Sequence, residues 1–481
     1  MFASELFGDK WSSDFEDFDI KGIAYDSRKV QDGYAFVCIK GFETDGHKYA
    51  SNAVQNGACI IIAEDMLEDM GVPVLYYDNT RTAIAEIACR FYDYPSEKFE
   101  LIGVTGTNGK TTTTHLLKSI METAGKCVGL IGTNHNIVGD KVLVTQTNTP
   151  TTPDSLELQQ MFDEMARAGA DCVIMEVSSH ALDLHRVHGC KFKSGAFTNL
   201  TRDHLDFHKT MENYMNAKAK LFDISEHGCI NIDDEYGKRI FEAHKDNDIL
   251  TYGIENDADV KAQNIVINAR GTEFDLIYKG QTYKIRIAIP GKFSVYNALT
   301  AAAAALGMGM DIDVVIEGLE NASGVLGRVE VVPTDTDYTV IIDYAHTPDG
   351  LENIIRAVKE FAVGRVITLF GCGGDRDNSK RAIMGEIAGN LSDFTVITSD
   401  NPRTEDPEKI ISQIVEGIKR TNGKYEVVVN RREAIEWVLN FAKKDDIIIL
   451  AGKGQETYQI IGKEKFDFDE RVVVYNTLNN K

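Results

Sequence analysis

Leu101-Ile102-Gly103-Val104-Thr105-Gly106-Thr107-Asn108-Gly109-Lys110-Thr111-Thr112 reads as a strand, a glycine-rich turn and the opening of a helix. Residues Leu101–Val104 form a short apolar run of buried-strand type, and from Lys110 to Ala124 the apolar residues return at helical spacing. The first N–H groups of a helix have no partner of their own, so a glycine turn feeding a helix is a seat for phosphate oxygens. Lys110 adds a cation, and Thr111 adds a hydroxyl that can reach magnesium. The spacing is the shorter G-x-x-G-K-[ST] form, because Val104 stands where the longer form requires glycine. The expected ligand is ATP, held by Gly106, Thr107, Asn108, Gly109, Lys110, Thr111 and Thr112.

The pattern on either side places this unit in the middle of a larger chain. Upstream, Tyr34–Ile39 and Cys59–Ala63 are strand-like, and a helical stretch from Thr82 to Tyr92 ends before Pro95, which suggests a small α/β unit over residues 1–98. Downstream, the strand candidates Val128–Ile131, Cys172–Val177, Ala196–Leu200 and Gly228–Ile232 alternate with helical stretches, as in a mostly parallel sheet with helices on its faces. Ala262–Pro290 instead shows period-two segments with turns at Ala269–Gly271 and Lys279–Gln281, an antiparallel insert. Two helices follow, the first holding Ala301–Ala305, and this central domain is expected to span residues 99–330.

A second alternating series over residues 331–481 predicts a Rossmann-like open sheet with strands Val340–Asp343, Val366–Phe370, Phe394–Thr398, Glu426–Val429 and Ile447–Ala451. Ligands of such a sheet sit beyond the carboxyl ends of its strands. The residues found there are Tyr344–His346, Gly371–Arg376, Asp400–Arg403 and Gly452–Glu456, so separate segments should converge on one crevice. The fold class read from the chain is α/β in three domains.

With 481 residues, 43% hydrophobic and 26% charged, the chain has enough apolar material for several cores. Its formal net charge of −23 argues against a nucleic-acid or anionic-membrane partner, which would reward a basic face. An anionic substrate must then be met by a few placed Arg, Lys and metal ions. No stretch is apolar enough to span a bilayer and no secretory signal is visible, so membrane insertion is not expected and a cytoplasmic location is. The eight cysteines are scattered without a C-x-x-C pair, and free thiols are the expectation.

Gly106–Thr112 resembles the ATP loop of the Mur ligases, which build the peptide of peptidoglycan precursors, and the likeness runs over nearly the whole chain. It implies a uridine-nucleotide domain, an ATPase domain and an amino-acid domain. It also implies magnesium ligands at Thr111, Glu176 of Met175–His180, and His204 of Thr198–Asp206, with a carbamate on Lys218 as a further ligand. Lys110, Lys218, His204 and Glu176 would then be the catalytic set. A carbamate forms only on a neutral amine, so Lys218 would need a depressed pKa. Asn297 resembles the adenine contact, Arg328 a phosphate contact and Asp343 a ribose contact. The run Asp26-Ser27-Arg28, with Gly33, Gly41 and Asp45-Gly46-His47, resembles the tripeptide-forming branch of the family. There Ser27, Thr151, Thr152, Ser178 and Arg186 would hold a UDP-N-acetylmuramoyl dipeptide, although some members carry Gln where this chain has Leu184.

Asp400-Asn401-Pro402-Arg403 resembles the signature of members that add meso-diaminopimelate. Diaminopimelate carries a second carboxylate that an arginine can grip, whereas lysine ends in an ammonium that Arg403 would repel. Arg376 would supply a second cation, Gly452 would line the site, and Glu456 would accept the distal ammonium. By the same resemblance ATP phosphorylates a D-glutamyl carboxylate to an acyl phosphate, which the amine then captures, and a monomer is expected. The lysine-adding form, folylpolyglutamate synthase and a nucleotide-dependent switch ATPase stand as alternatives. A switch would need the loop without an amino-acid crevice.

Overall fold

The computed structural model describes residues 1–12, 15–42, 44–133, 136–145, 149, 151–322 and 324–479. Pro150, in the Thr149–Pro153 run, lies outside them. The chain forms two compact units, Met1–Thr251 with Ala303–Met310, and Tyr252–Ala302 with Asp311–Lys481.

The first unit holds two sheets. The smaller is parallel, with strands β1 (Gly22–Ala24), β2 (Tyr34–Val37), β3 (Ala58–Ala63) and β4 (Val74–Tyr76) in chain order. One of its faces packs on helix Thr80–Phe91 through Ile84 and Ile87, and the other buries Phe36, Ala53 and Ile61. Helix Thr80–Phe91 starts where it does because the Asn79 side chain accepts from the N–H of Arg81.

The larger sheet is built from β5 (Glu100–Thr105), β6 (Val128–Ile131), β7 (Asn136–Val138), β8 (Lys141–Val142), β9 (Cys172–Glu176), β10 (Phe192–Phe197) and β11 (Ser225–Asn231), in the order β11-β10-β5-β9-β6-β7-β8. Its five central strands are parallel, and β7 and β8 close one end antiparallel. Register decides the chemistry: Val104 pairs with Glu176 on one side and with Ala196 on the other, so β5, β9 and β10 release their chains at one level.

The end of β12 (Asp248–Gly253) pairs with a meander of β13 (Val260–Asn268), β14 (Gly271–Tyr278) and β15 (Gln281–Ile287), the antiparallel insert expected from period-two alternation. Helices Lys292–Gly307 and Ile312–Asn321 follow. The remaining sheet comprises β16 (Glu330–Val332), β17 (Thr339–Asp343), β18 (Val366–Phe370), β19 (Phe394–Ile397), β20 (Tyr425–Val427) and β21 (Ile447–Ala451), in the order β16-β17-β21-β18-β19-β20, with only β16 antiparallel. Its central strands β21 and β18 are buried throughout, which is why they read as unbroken apolar runs. A hairpin of β22 (Tyr458–Ile461) and β23 (Glu464–Asp467) follows β21.

Two strands sit earlier than the sequence suggests. The Ala196–Leu200 expectation becomes Phe192–Phe197, and Gly228–Ile232 becomes Ser225–Asn231. Pairing on both edges buries Ser194 despite its hydroxyl, while Thr198 and Asn199 leave the sheet to bind the phosphate loop. All eight cysteines carry free thiols, and among the described residues no helix is long and apolar enough to cross a membrane.

Helices Ser379–Leu391 and Pro407–Ile418 approach closely at glycines. A Cβ on Gly417 would lie 1.8 Å from the Ala382 carbonyl oxygen, and one on Gly385 2.1 Å from that of Ile414. Gly417→Ala should gain up to about 1 kcal/mol in helix propensity and lose about 1–3 kcal/mol to overpacking. The clash wins, so a lower urea midpoint for the second unit is expected; an unchanged or higher one would contradict this helix contact.

Candidate active site

The phosphate loop is held in shape by its neighbours. Gly106 and Gly109 have φ of 150° and 87°, and a Cβ on Gly106 would sit 1.8 Å from Thr198 Oγ1. Thr198 Oγ1 and Asn199 Nδ2 both donate to the Asn108 carbonyl, at 2.7 and 3.1 Å, and the N–H of Thr107 donates to the Asn199 carbonyl at 2.9 Å. Lys110 Nζ folds back onto the carbonyls of Gly106 and Thr107, each at 2.9 Å. Thr111, in the first turn of helix Lys110–Thr123, donates its hydroxyl to Glu176 Oε1 at 2.9 Å.

Glu176 is 1% exposed and also accepts from the Thr133 N–H at 3.0 Å and the Thr133 hydroxyl at 3.2 Å. A hydroxyl and a carboxylate side by side are hard oxygen donors of the kind magnesium selects, so this corner suits that ion beside phosphate.

Lys218, on helix Met211–Asp223, is 1% exposed. Its Nζ donates to the Gly106 carbonyl at 2.8 Å and lies 4.7 Å from the centre of the Tyr214 ring. Burial, and then the nearby Lys110 charge, push its pKa well below the ordinary lysine value. Tyr214 also reaches Thr107 Oγ1 at 3.2 Å. His204 has a left-handed backbone, φ 51°, and is joined to this group by ring contacts, 4.9 Å from His180 and 6.1 Å from Tyr214. Its Nε2 lies 3.5 Å from Asp203, and among the described residues it bonds neither Glu176 nor Lys218. His208 stacks on Tyr214, meets Ser179 Oγ at 2.9 Å, and has its pKa lowered to about 4, chiefly by burial.

Behind the loop, Thr152 Oγ1 donates to the Glu176 carbonyl at 2.9 Å and accepts the Ser178 N–H at 3.0 Å. Ser178 caps helix Ser179–Asp183 by accepting the N–H of Ala181, and Thr151 meets Thr133 hydroxyl to hydroxyl at 3.2 Å. Arg186 donates to the Thr152 carbonyl at 3.0 Å and lies 2.8 Å from Asp154. Ser27, Phe42, Arg81, Asp154, Leu184 and Arg186 share the wall of a cavity of about 750 Å³. His47 braces its rim: Nε2 accepts the N–H groups of Glu64 and Asp65, which leaves Nδ1 to donate to Asp45.

In the second unit, Asp343 at the end of β17 accepts the N–H groups of Val329 and Ala345, each at 2.8 Å, yet burial raises its pKa overall. The Arg328 guanidinium lies 5.2 Å from the centre of the Tyr344 ring, and its buried Nε has no partner among the described residues, a donor open to an anion. Asn297 is buried on helix Lys292–Gly307. A cavity of about 1620 Å³ in this unit is lined by none of the expected site residues.

The crevice beyond β17, β21, β18 and β19 does collect the expected clusters. Arg403, with φ 48°, donates from Nη1 to the Gly374 carbonyl at 2.9 Å. Arg381, 0% exposed, ties the same loop by donating to the Gly373 carbonyl and to Glu405, whose carboxyl it holds down at about 2. Arg376 is exposed on that loop. Asn401 Nδ2 donates to Glu456 Oε2 at 3.0 Å, the Pro402 carbonyl oxygen lies 1.9 Å from where a Cβ on Gly374 would stand, and a Cβ on Gly452 would lie 3.0 Å from Asp400 Oδ2. Sequence reasoning missed Thr133, Tyr214, Arg81, Arg381 and Lys453. Thr133 and Arg381 sit outside any motif, whereas Lys453 lay within the Gly452–Glu456 cluster and was passed over.

Three family models match along the chain: the Mur ligase family catalytic domain over residues 19–92, the Mur ligase middle domain over 104–305, and the Mur ligase glutamate ligase domain over 327–454. A relative from Clostridium acetobutylicum, named UDP-N-acetylmuramoyl-L-alanyl-D-glutamate–2,6-diaminopimelate ligase 1, is 51% identical over 459 residues, covering 95% of this chain and 94% of that one. A ligase of the same substrates from Caldanaerobacter subterraneus subsp. tengcongensis is 50% identical over 462 residues, 96% of this chain and 95% of that one. A solved structure of a UDP-N-acetylmuramoyl-L-alanyl-D-glutamate–2,6-diaminopimelate ligase superposes with a TM-score of 0.72 at 32% identity, covering 95% of this chain and 94% of that chain. With matched residues in all three segments and relatives at half identity over nearly the full length, this chain belongs to the Mur ligase family.

Proposed function

We propose that this chain is an ATP-dependent amide-bond ligase that joins meso-diaminopimelate, through an amino group, to the D-glutamyl side-chain carboxylate of UDP-N-acetylmuramoyl-L-alanyl-D-glutamate, a step in making peptidoglycan precursors. The observation that carries the reading is the contact of Thr111 with Glu176 beside a loop whose Gly106 carbonyl receives both Lys110 and Lys218. The names of its relatives supply the substrates. Residues 1–98 would take the uridine nucleotide, 99–330 ATP, and 331–481 the amino acid, and the action would be cytoplasmic.

A carboxylate is a poor electrophile, so a carboxylate oxygen takes the γ-phosphoryl group, giving an acyl phosphate and ADP. The amine lone pair then attacks the acyl carbon, the bond to phosphate breaks and the nitrogen loses a proton. The Gly106–Thr112 loop, through the N–H groups that Asn199 does not take, and Lys110 hold the phosphate charge, while Asn297, Asp343 and Arg328 hold adenine, ribose and phosphate. Ser27, Thr151, Thr152, Ser178 and Arg186 hold the muramoyl dipeptide against that charge, which fixes the distance between two anions that would otherwise repel. Magnesium, when bound by Thr111, Glu176, His204 and Lys218, supplies charge neutralisation. Lys218, whose burial favours the neutral amine, can form an N–C bond with carbon dioxide and lose a proton, becoming an anionic carbamate. Arg376 and Arg403 meet the distal carboxylate of diaminopimelate, with Asp400, Asn401, Pro402, Gly452 and Glu456 around its ammonium.

Three measurements test this reading. Phosphate release should require both the UDP-muramoyl dipeptide and an amino acid, and Lys110→Ala should lower kcat by about 10²–10³; full synthesis by that variant would end the proposal. Offered separately, diaminopimelate should turn over far faster than lysine, and Arg403→Ala should raise the diaminopimelate KM about tenfold or more. A lysine preference would remove the diaminopimelate assignment and leave the ligase standing. Carbon-13 bicarbonate should give a carbamate resonance in the wild type that is lost in Lys218→Met, and no resonance in the active wild type would rule the modification out.

A further inference from the structure

Lys453 is 0% exposed, yet it lies in the amino-acid crevice and spends its whole donor capacity on residues assigned there. Its ammonium donates to Glu456 Oε2 at 3.1 Å, Asn401 Oδ1 at 3.2 Å and Asp400 Oδ1 at 3.4 Å. It also lies 5.7 Å from the centre of the Tyr458 ring. Asn401 completes the set by donating to the same Glu456 oxygen and by accepting the Ile460 N–H at 2.9 Å. An ammonium has three N–H donors, and here each has an oxygen to meet.

The layer beneath is neutral. Arg431 and Glu470 form an ion pair in which both side chains are 0% exposed, and Arg431 donates to the carbonyl of Ala451, two residues before Lys453. The three charged groups joined at Lys453 are therefore the carboxylates of Asp400 and Glu456 and one ammonium, a net charge of one negative. Packing alone does not require a cation here, because an apolar chain of similar length would fill the same space. Such a replacement would leave two carboxylates facing each other across Asn401.

We propose that Lys453 is a positioning residue for amino-acid selection: it aims Glu456 and Asn401 and cancels one of two carboxylate charges, so that the crevice offers one negative charge to the substrate ammonium. The inference rests on the amino-acid site of the function proposed above. Removing the cation frees Glu456 to rotate and doubles the negative charge, so the seat becomes both disordered and mismatched to a single ammonium.

Lys453→Met is the direct test, with KM measured separately for amino acid, ATP and UDP-muramoyl dipeptide on protein checked by near-ultraviolet circular dichroism. The amino-acid KM should rise about tenfold or more, with the other two KM values within about twofold of wild type. In Lys453→Met/Asp400→Asn, which restores one net negative charge, the amino-acid KM should fall back below that of Lys453→Met. If Lys453→Met does not fold, Lys453→Gln keeps a hydrogen-bond donor without the charge and is held to the same KM pattern. An unchanged amino-acid KM, equal changes in all three KM values, or a double variant worse than the single would each overturn the proposal. The amino acid used is whichever the wild type prefers, so a failed diaminopimelate assignment shows in the wild type and a failed role for Lys453 only in the variants.

Discussion

Only hydrogen can stand at the side-chain position of Gly106, and the nucleotide-handling half of the molecule is arranged around that fact. The end of β10 comes so close to the turn after β5 that Thr198 Oγ1 occupies the space a Cβ would need. The same closeness lets Thr198 and Asn199 grip the Asn108 carbonyl, which stops the loop from collapsing into the helix it precedes. With the loop fixed through Asn199, the N–H groups at the start of helix Lys110–Thr123 hold their direction, and preorganised donors of that kind need no rearrangement as charge develops. Glu176 reaches the same point from β9 only because the parallel register sets it beside Val104.

Much of this was legible because the signals were local. Strand, turn and helix around Gly106 follow from apolar runs and glycine spacing, and β6, β18 and β21 match their expected limits because each is an apolar run buried on both faces. The insert from β13 to β15 was legible through its period-two alternation. What could not be seen depended on pairing between distant segments. Ser194 reads as a break in an apolar run, and only contact with both β5 and β11 makes it a strand interior. Thr133 carries no motif and becomes important only when β6 ends next to Glu176. The roles of Lys218, Asn297 and Arg328 came from likeness to a family, since a lysine or asparagine on a helix has no distinguishing local pattern.

The chain carries a net charge of −23, yet it buries basic side chains whose surroundings differ. Lys218 has a backbone carbonyl and an aromatic face for partners, and the pull of Asp203 is outweighed by burial and by the lysine nearby. Lys453 has carboxylates on two sides, and Arg431 has Glu470. One arrangement favours a neutral amine with a free lone pair, and the other holds a charge in place. Breaking a fully buried pair such as Arg431 with Glu470 costs about 3–5 kcal/mol, far more than the pair adds over an apolar filling. Such pairs are therefore better understood as fixing geometry than as adding stability.

The hairpin of β22 and β23 extends that logic to the selectivity proposed for Arg403. Arg403 holds a left-handed backbone, φ 48°, that a non-glycine residue keeps only when its surroundings impose it. Its N–H donates to the Ile460 carbonyl, its own carbonyl accepts from Gly462, and Asn401 accepts from the N–H of Ile460. Both ends of the Asp400–Arg403 signature are thus fastened to a hairpin that carries none of the motif. One guanidinium nitrogen is further committed to the Gly374 carbonyl, which leaves the rest of the planar group aimed in one direction. For the role proposed for Arg403, telling a carboxylate from an ammonium, the arginine must not be able to turn away. In this fold that constraint comes from strands some sixty residues downstream, where a comparison of motifs alone would find nothing to compare.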